Sequence, residues 1–200
     1  MTSSRGVWPS GTPDPGFRVG LAGFGAAVLA DSLTGASLVT MSNNFTPHPQ
    51  SPQLLAAGVP VEYHRLLGPH GVGELVEKMG IVFTHMSVES MVATMPVAGN
   101  TQVAGLLHGG AHVVLAETLG SFAAAFHAGP GRHAVGIEIN ATHHRSVTGG
   151  LVTGTATAVH LGRTLTSHEV IMRDESGRRL STCRITNMIM ANPKGAQEAS

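Results

Sequence analysis

The chain has 200 residues, enough for one ordinary domain with its own core and short for two. Its 12 basic residues balance 12 acidic ones, which excludes a binder of the nucleic-acid backbone, since that needs a basic surface. The single cysteine, Cys183, excludes an internal disulfide and suits a reducing compartment, and no apolar run reaches the roughly 18 residues of a membrane span.

The first 60 residues carry seven of the 11 prolines and only four charges. Residues 43–52 can hold neither a helix nor a central strand against so much proline. Residues 1–65 are therefore expected to be an N-terminal extension, largely disordered apart from a short helix near residues 22–33. Residues 19–30 form an apolar run after Arg18, but Gly20, Gly23 and Gly25 weaken a helix and no charged leader precedes it, so a secretion signal is not expected. The same glycines fall short of a dinucleotide-binding fingerprint, because no strand-forming run leads into them. Met41 and Met79 are later candidate starts.

From Gly71 the pattern becomes regular. Val72, Leu75, Val76 and Met79 stand three and four apart, the spacing of a two-turn amphipathic helix, which Gly80 closes. Residues 81–97, rich in Val, Thr and Met around Glu89-Ser90, suit a long strand or a hairpin. Residues 100–107 read as a loop. Residues 109–126 then give the strongest helix, apolar on nearly every face with Glu117 as its only charge, the mark of a buried helix. Gly129-Pro130-Gly131 stops it.

Four strands follow. Residues 134–142 alternate Val135, Ile137 and Ile139 against Gly136, Glu138 and Asn140. Residues 151–160, 164–173 and 180–190 complete the set, with a hairpin turn at Asp174-Glu175-Ser176-Gly177 between the last two. An antiparallel sheet wrapped around one long central helix is the simplest way to bury both, an α+β architecture of the hotdog kind. The expected organisation is an extension over 1–65, a domain over 66–192 and a flexible tail over 193–200.

The residues that carry chemistry gather on the long helix. Gly109-Gly110 open it, so free N–H groups and the positive end of the helix dipole point outward there. Glycine lets a ligand approach such a tip, which makes an oxyanion site. Glu117 lies about two turns in, and Ser121 one turn further on the same face, where a hydroxyl can hold a water or orient the carboxylate. A carboxylate in an apolar helix needs a reason, either catalysis or a hydrogen-bonded place in a dimer contact.

His108 suits a helix cap as well as a site. His108 and His112 are four apart, as two metal ligands would be, but Gly109 stands where a zinc protease motif has its glutamate, and no metal is expected. No serine-nucleophile elbow is present, and Cys183 reads as a small core residue in a strand.

The segment 102–121, QVAGLLHGGAHVVLAETLGS, closely resembles the signature of the PaaI-like hotdog thioesterases. Within them it is most similar to the branch of 1,4-dihydroxy-2-naphthoyl-CoA hydrolase and the Arthrobacter-type 4-hydroxybenzoyl-CoA thioesterase. The likeness continues through His143-His144-Arg145-Ser146, through His160-Leu161-Gly162-Arg163, and from Asp174-Glu175 to Thr182-Cys183-Arg184, covering roughly residues 70–190. It implies that Glu117 is the catalytic carboxylate, as nucleophile or as general base. It also implies that the Gly109 N–H polarises the thioester carbonyl, that Gln102 and His108 position carbonyl and nucleophile, and that Ser121 helps hold the hydrolytic water. Gly136, His143, His144, Arg145 and Ser146, and His160, Gly162, Arg163, Thr164 and Leu165 match stretches that contact coenzyme A. Ser146 stands where proline is frequent, and Thr164-Leu165 is diagnostic of neither branch, so the acyl group stays open.

The resemblance implies a cytoplasmic homotetramer, a dimer of dimers with each active site across a dimer interface. No cofactor is needed beyond coenzyme A as part of the substrate, and no nucleic-acid or membrane partner. The expected activity is hydrolysis of an aromatic or bulky acyl-CoA. The alternative is a non-catalytic acyl-CoA-binding module on the same fold. A dehydratase, which wants a His/Asp or His/Glu pair on different elements, finds none.

Overall fold

A computed structural model of the chain describes residues 51–67 and 71–192. The helix expected near residues 22–33 and the tail at 193–200 lie outside these.

Residues 51–65 are folded, against the expectation from composition. Ser51 caps a short helix, α1 (Pro52–Ala56), its hydroxyl accepting from the Leu54 N–H, with Pro52 in the first turn. A proline there loses no hydrogen bond, because the first amides of a helix have no partner inside it. A single 3-10 turn (Val61–Tyr63) and α2 (His64–Leu67) follow. Leu54 and Val59 are buried in the main core, and the Ala57 carbonyl accepts from Phe83 N–H at 2.8 Å. Residues 51–65 thus pack with the folded domain, where a largely disordered stretch was expected. Pro52 and Pro60 sit at helix starts, where their fixed φ helps.

The amphipathic stretch after Gly71 forms α3 (Glu74–Lys78), stopped by Gly80 at a φ of 66°. The segment that suited a strand or a hairpin is a hairpin, β1 (Val82–Met86) and β2 (Ser90–Pro96), with antiparallel register from Val82–Thr94 to Met86–Met91. The long helix, α4 (Gly109–Ala128), is followed by β3 (Arg132–His143), β4 (Leu151–Leu161), β5 (Leu165–Asp174) and β6 (Arg179–Ala191). One six-stranded antiparallel sheet results, in the order β1-β2-β4-β5-β6-β3, so β1 and β3 are its edges.

The concave face of that sheet packs on α4. Leu115, Ala116, Leu119 and Ala123 are fully buried in one cluster with Met91, Ala93 and Met95 of β2, Val152 and Ala156 of β4, and Ile185 of β6. Gly154 of β4 makes the close approach possible: a Cβ there would fall 2.8 Å from a Leu119 methyl and 3.0 Å from a Leu115 methyl. The β5–β6 hairpin turns on Asp174, whose carboxylate accepts from the Ser176 hydroxyl, from the Ser176 and Arg178 N–H groups and from the Arg178 guanidinium. Those donors, the Ser176 hydroxyl foremost, hold the Asp174 carboxyl down to about 2. Among the described residues no helix is long and apolar enough to cross a membrane.

Candidate active site

The loop leading into α4 is rigidly tied. The Asn100 side-chain amide donates to the carbonyls of Met79 and Pro96, and the Asn100 carbonyl accepts from His108 N–H. Gln102 lies exposed on this loop, its N–H donating to Leu106. His108 is the N-cap, with extended backbone (φ −65°, ψ 133°), and its Nδ1 accepts from the Gly110 N–H at 2.8 Å. The capping role weighed for His108 is therefore what the structure gives. Gly109 N–H, the first amide of the helix, has no partner among the described residues. It opens into a cleft of about 350 Å³ lined by Gln102, Leu107, Gly109, His112, His143 and Arg145.

Two histidines shape that cleft. His143 crosses the tip so closely that a methyl group on Gly109 would come within 3.0 Å of its Nε2. His112 is buried one turn into the helix, hydrogen-bonded through Nδ1 to the Ser181 hydroxyl at 3.1 Å, with its ring 5.2 Å from that of His143. Burial first, and the neighbouring His143 second, push His112 down to about 4, so it is neutral at pH 7. Among the described residues no group of three or more His, Cys, Asp or Glu could hold a metal ion. Cys183 is buried, and burial pushes its thiol up, as suits a core residue.

Glu117 corrects an expectation. It was expected to be buried in an apolar helix, yet it is exposed in this single chain. Glu117 lies at the border of the face that the sheet covers, beside the edge strand β3. It lines two clefts. One, with Gly136, Ile137, Glu138, Ile139 and Ile185, runs along β3. The other, of about 270 Å³, has walls of Val72, Leu75, Val76, Val114 and Phe122, with Thr118 and Ser121 beside Glu117. Of the aromatic residues near the helix, Phe122 borders this cleft and packs on buried Phe83, while Phe126 packs on Tyr63.

Gly136 of β3 lies directly beneath the carboxylate. A Cβ at that position would stand 3.5 Å from Glu117 Oε1 and 3.7 Å from Asn187 Nδ2. Asn187, paired with Gly136 across β6 and β3, is fully buried and donates to the Ser121 hydroxyl at 3.2 Å. The sequence reading missed Asn187. Its signal was the period-two alternation of Cys183, Ile185, Asn187 and Ile189, which places an amide where the strand turns inward.

The structure does not bring all the expected site residues together. Glu117 is eight residues from Gly109, about 12 Å along the helix at 1.5 Å per residue. The two line different clefts of the same chain. The coenzyme A set is divided as well. His143, His144, Arg145 and Ser146 border the cleft at the helix N-terminus. There His144 hydrogen-bonds the Thr182 hydroxyl and the Arg145 guanidinium donates to the Arg179 carbonyl. His160, Gly162, Arg163, Thr164 and Leu165 lie at the β4–β5 turn by the other end of the helix, where His127 Nε2 donates to the Gly162 carbonyl and Arg132 donates to that of Arg163. Gly109 and His127 are about 27 Å apart by the helical rise.

Comparison with known proteins accords with this geometry. Residues 104–181 match the family model of the thioesterase superfamily. A proofreading thioesterase EntH of Cronobacter sakazakii is 46% identical over 125 residues, which are 62% of this chain and 91% of the relative. The solved structure of a thioesterase from Haemophilus influenzae is 33% identical with a TM-score of 0.59, covering 66% of this chain and 91% of that one. A thioesterase structure from Pseudomonas aeruginosa is 38% identical with a TM-score of 0.57, covering 59% and 86%.

Proposed function

This chain belongs to the hotdog-fold thioesterase superfamily, and from that premise we propose that it hydrolyses acyl-coenzyme A thioesters with an aromatic or bulky acyl group. It is a thioester hydrolase. The observation that carries the finer reading is one carboxylate, Glu117, exposed at the mouth of an apolar cleft that Val72, Leu75, Val76, Val114 and Phe122 wall. An acyl group in that cleft places its carbonyl carbon beside the carboxylate.

In this reading Glu117 is a general base. Water attacks the carbonyl carbon and gives its proton to Glu117, and the carbonyl oxygen takes the negative charge. The C–S bond then breaks, and the departing thiolate takes the proton back, leaving the free acid and coenzyme A thiol. The oxyanion accepts from a free helix-tip amide, that of Gly109, with Gln102 and His108 orienting the carbonyl.

Because Glu117 and Gly109 of one chain face different clefts, the carboxylate is proposed to work with the helix tip of a second copy. Strand β3 supports this: it is an edge, Val135 and Ile137 on it are 44% and 51% exposed, and Glu117 lies beside it. A dimer of dimers would also gather on one nucleotide the two remote sets, His143 to Ser146 and His160 to Thr164, with Arg145 and Arg163 on its phosphates. A cytoplasmic place of action belongs to the same proposal.

The test is release of thiol from a panel of aromatic, branched and straight-chain CoA esters by the wild type and by Glu117→Gln. Aromatic or bulky esters should be favoured, and Glu117→Gln should lower kcat by roughly 10²–10⁴-fold, the usual contribution of a general base. Wild-type turnover in the variant would remove Glu117 from the mechanism. Labelled oxygen from solvent appearing in the enzyme carboxylate in a single turnover would make it a nucleophile instead.

A further inference from the structure

The inward face of β6 runs Cys183, Ile185, Asn187, Ile189, and all but Asn187 are of core type. Asn187 lies in a cross-strand row beneath the helix, paired with Gly136 on β3 and with Thr166 on β5. Its Nδ2 donates to Ser121 Oγ. The Asn187 Oδ1, the Thr166 Oγ1 and both ring nitrogens of buried His168 meet no hydrogen-bond partner in the protein. Buried polar atoms in this condition are rare and cost stability, so an amide at position 187 on this inward face needs a reason other than packing.

The geometry supplies one. Glu117 Oε1 and Asn187 Nδ2 flank the same point above Gly136, at 3.5 Å and 3.7 Å from where a Cβ would be, and Ser121 follows Glu117 by one turn. A serine hydroxyl that accepts a hydrogen bond from an amide keeps its own proton to donate elsewhere. A water between Glu117 and Ser121 can then donate to the carboxylate, accept from the hydroxyl, and keep its second lone pair free for the thioester carbon.

We propose that Asn187 is a positioning residue for the hydrolytic water: by donating to Ser121 it fixes that hydroxyl as a donor toward the water that Glu117 deprotonates. This rests on the reading of Glu117 as the base.

The experiment follows thiol release from benzoyl-CoA and thermal unfolding for wild type, Glu117→Gln, Asn187→Val, Ser121→Ala and the Asn187→Val/Ser121→Ala double variant. Valine keeps strand propensity and much of the volume but has no donor and no orphaned carbonyl. Asn187→Val should lower kcat about tenfold with KM unchanged, the scale of one lost hydrogen bond at the reacting group, while Tm stays level or rises. In the Ser121→Ala background the same change should have no further effect, because its action passes through the hydroxyl. A kcat within twofold of wild type, losses that multiply in the double variant, or a Tm that falls in step with activity would each overturn the proposal. If Asn187→Val does not fold, Asn187→Ala carries the same expectation for kcat and the same cycle. Wild-type turnover in Glu117→Gln sinks the reading of Glu117, whereas an inactive Glu117→Gln beside a fully active Asn187→Val sinks only the role of Asn187.

Discussion

The two halves of the sheet meet the same helix with different chemistry. Strands β1, β2 and β4 face α4 with Phe83, Met91, Ala93, Met95, Val152 and Ala156, and among their described residues no polar side chain is buried. Strands β5 and β6 bury Thr166, His168, Asp174, Ser181 and Asn187. The apolar half offers only area removed from water, roughly 25 cal/mol per Å² of apolar surface, and holds the helix in place. Strands β5 and β6 share in that hold through Val170, Met172, Leu180, Cys183 and Ile185, yet they also leave several polar atoms unpartnered, and β6 lies beside the strand over which Glu117 rests. Both halves hold the helix, and only one adds buried polar groups to it.

The sharpest way to break that contrast is to cut each side once. Leu119→Ala, on the apolar side, should destabilise the fold by about 2–5 kcal/mol, read as a shift in the denaturant midpoint, because the fully buried side chain leaves a cavity against Gly154 and its neighbours. Glu117→Gln, exposed on the other side, should leave that midpoint where it is. Equal destabilisation by the two would erase the contrast.

A second probe uses protons. His112 is held neutral in the fold with its pKa lowered to about 4, against an ordinary value of 6.5. The unfolded chain therefore binds the proton first, and stability is lost as pH falls from about 6.5 toward 4, by up to roughly 3 kcal/mol. Burial lowers His168 as well, and its contribution has the same sign. Thermal unfolding between pH 7.5 and 4.5 should show this loss, and His112→Asn should flatten part of it. An unchanged slope in the variant would assign the loss to other groups.

The smallest effect belongs to the rim. Arg163, exposed at the β4–β5 turn, should on replacement by Ala raise KM for CoA esters several-fold and leave kcat nearly intact, since a phosphate contact binds ground and transition states alike. Steady-state kinetics decide it: an unchanged KM would remove Arg163 from the nucleotide.

Much of this arrangement was legible in the residues. The three- and four-residue spacing of Val72, Leu75, Val76 and Met79, the unbroken apolar helix from Gly109, and the four alternating runs after it fixed the elements and their order. The glycines at 80, 129 and 177 marked where elements stop. The start at Ser51-Pro52 was missed because proline content was averaged over the segment, although a capping serine before a first-turn proline is a helix-start signal. The exposure of Glu117 was missed for another reason. A helix apolar on every face implies cover on every face, but hydropathy does not say whether the same chain or another copy provides it. Asn187 was missed because its alternation was read for strand type and not for the one polar member of the inward set.

Strand β3 carries one residue more than β6 requires, between Gly136 and Glu138. Such an irregularity puts two parts of one strand out of phase, so each keeps its own count of inside and outside. Ile139 and Ala141 pack toward the core on one side of it, while on the other a bare backbone is turned to the carboxylate. The surplus residue therefore acts as a joint: it lets the two ends of the edge strand take separate orientations without forcing the packed end to move.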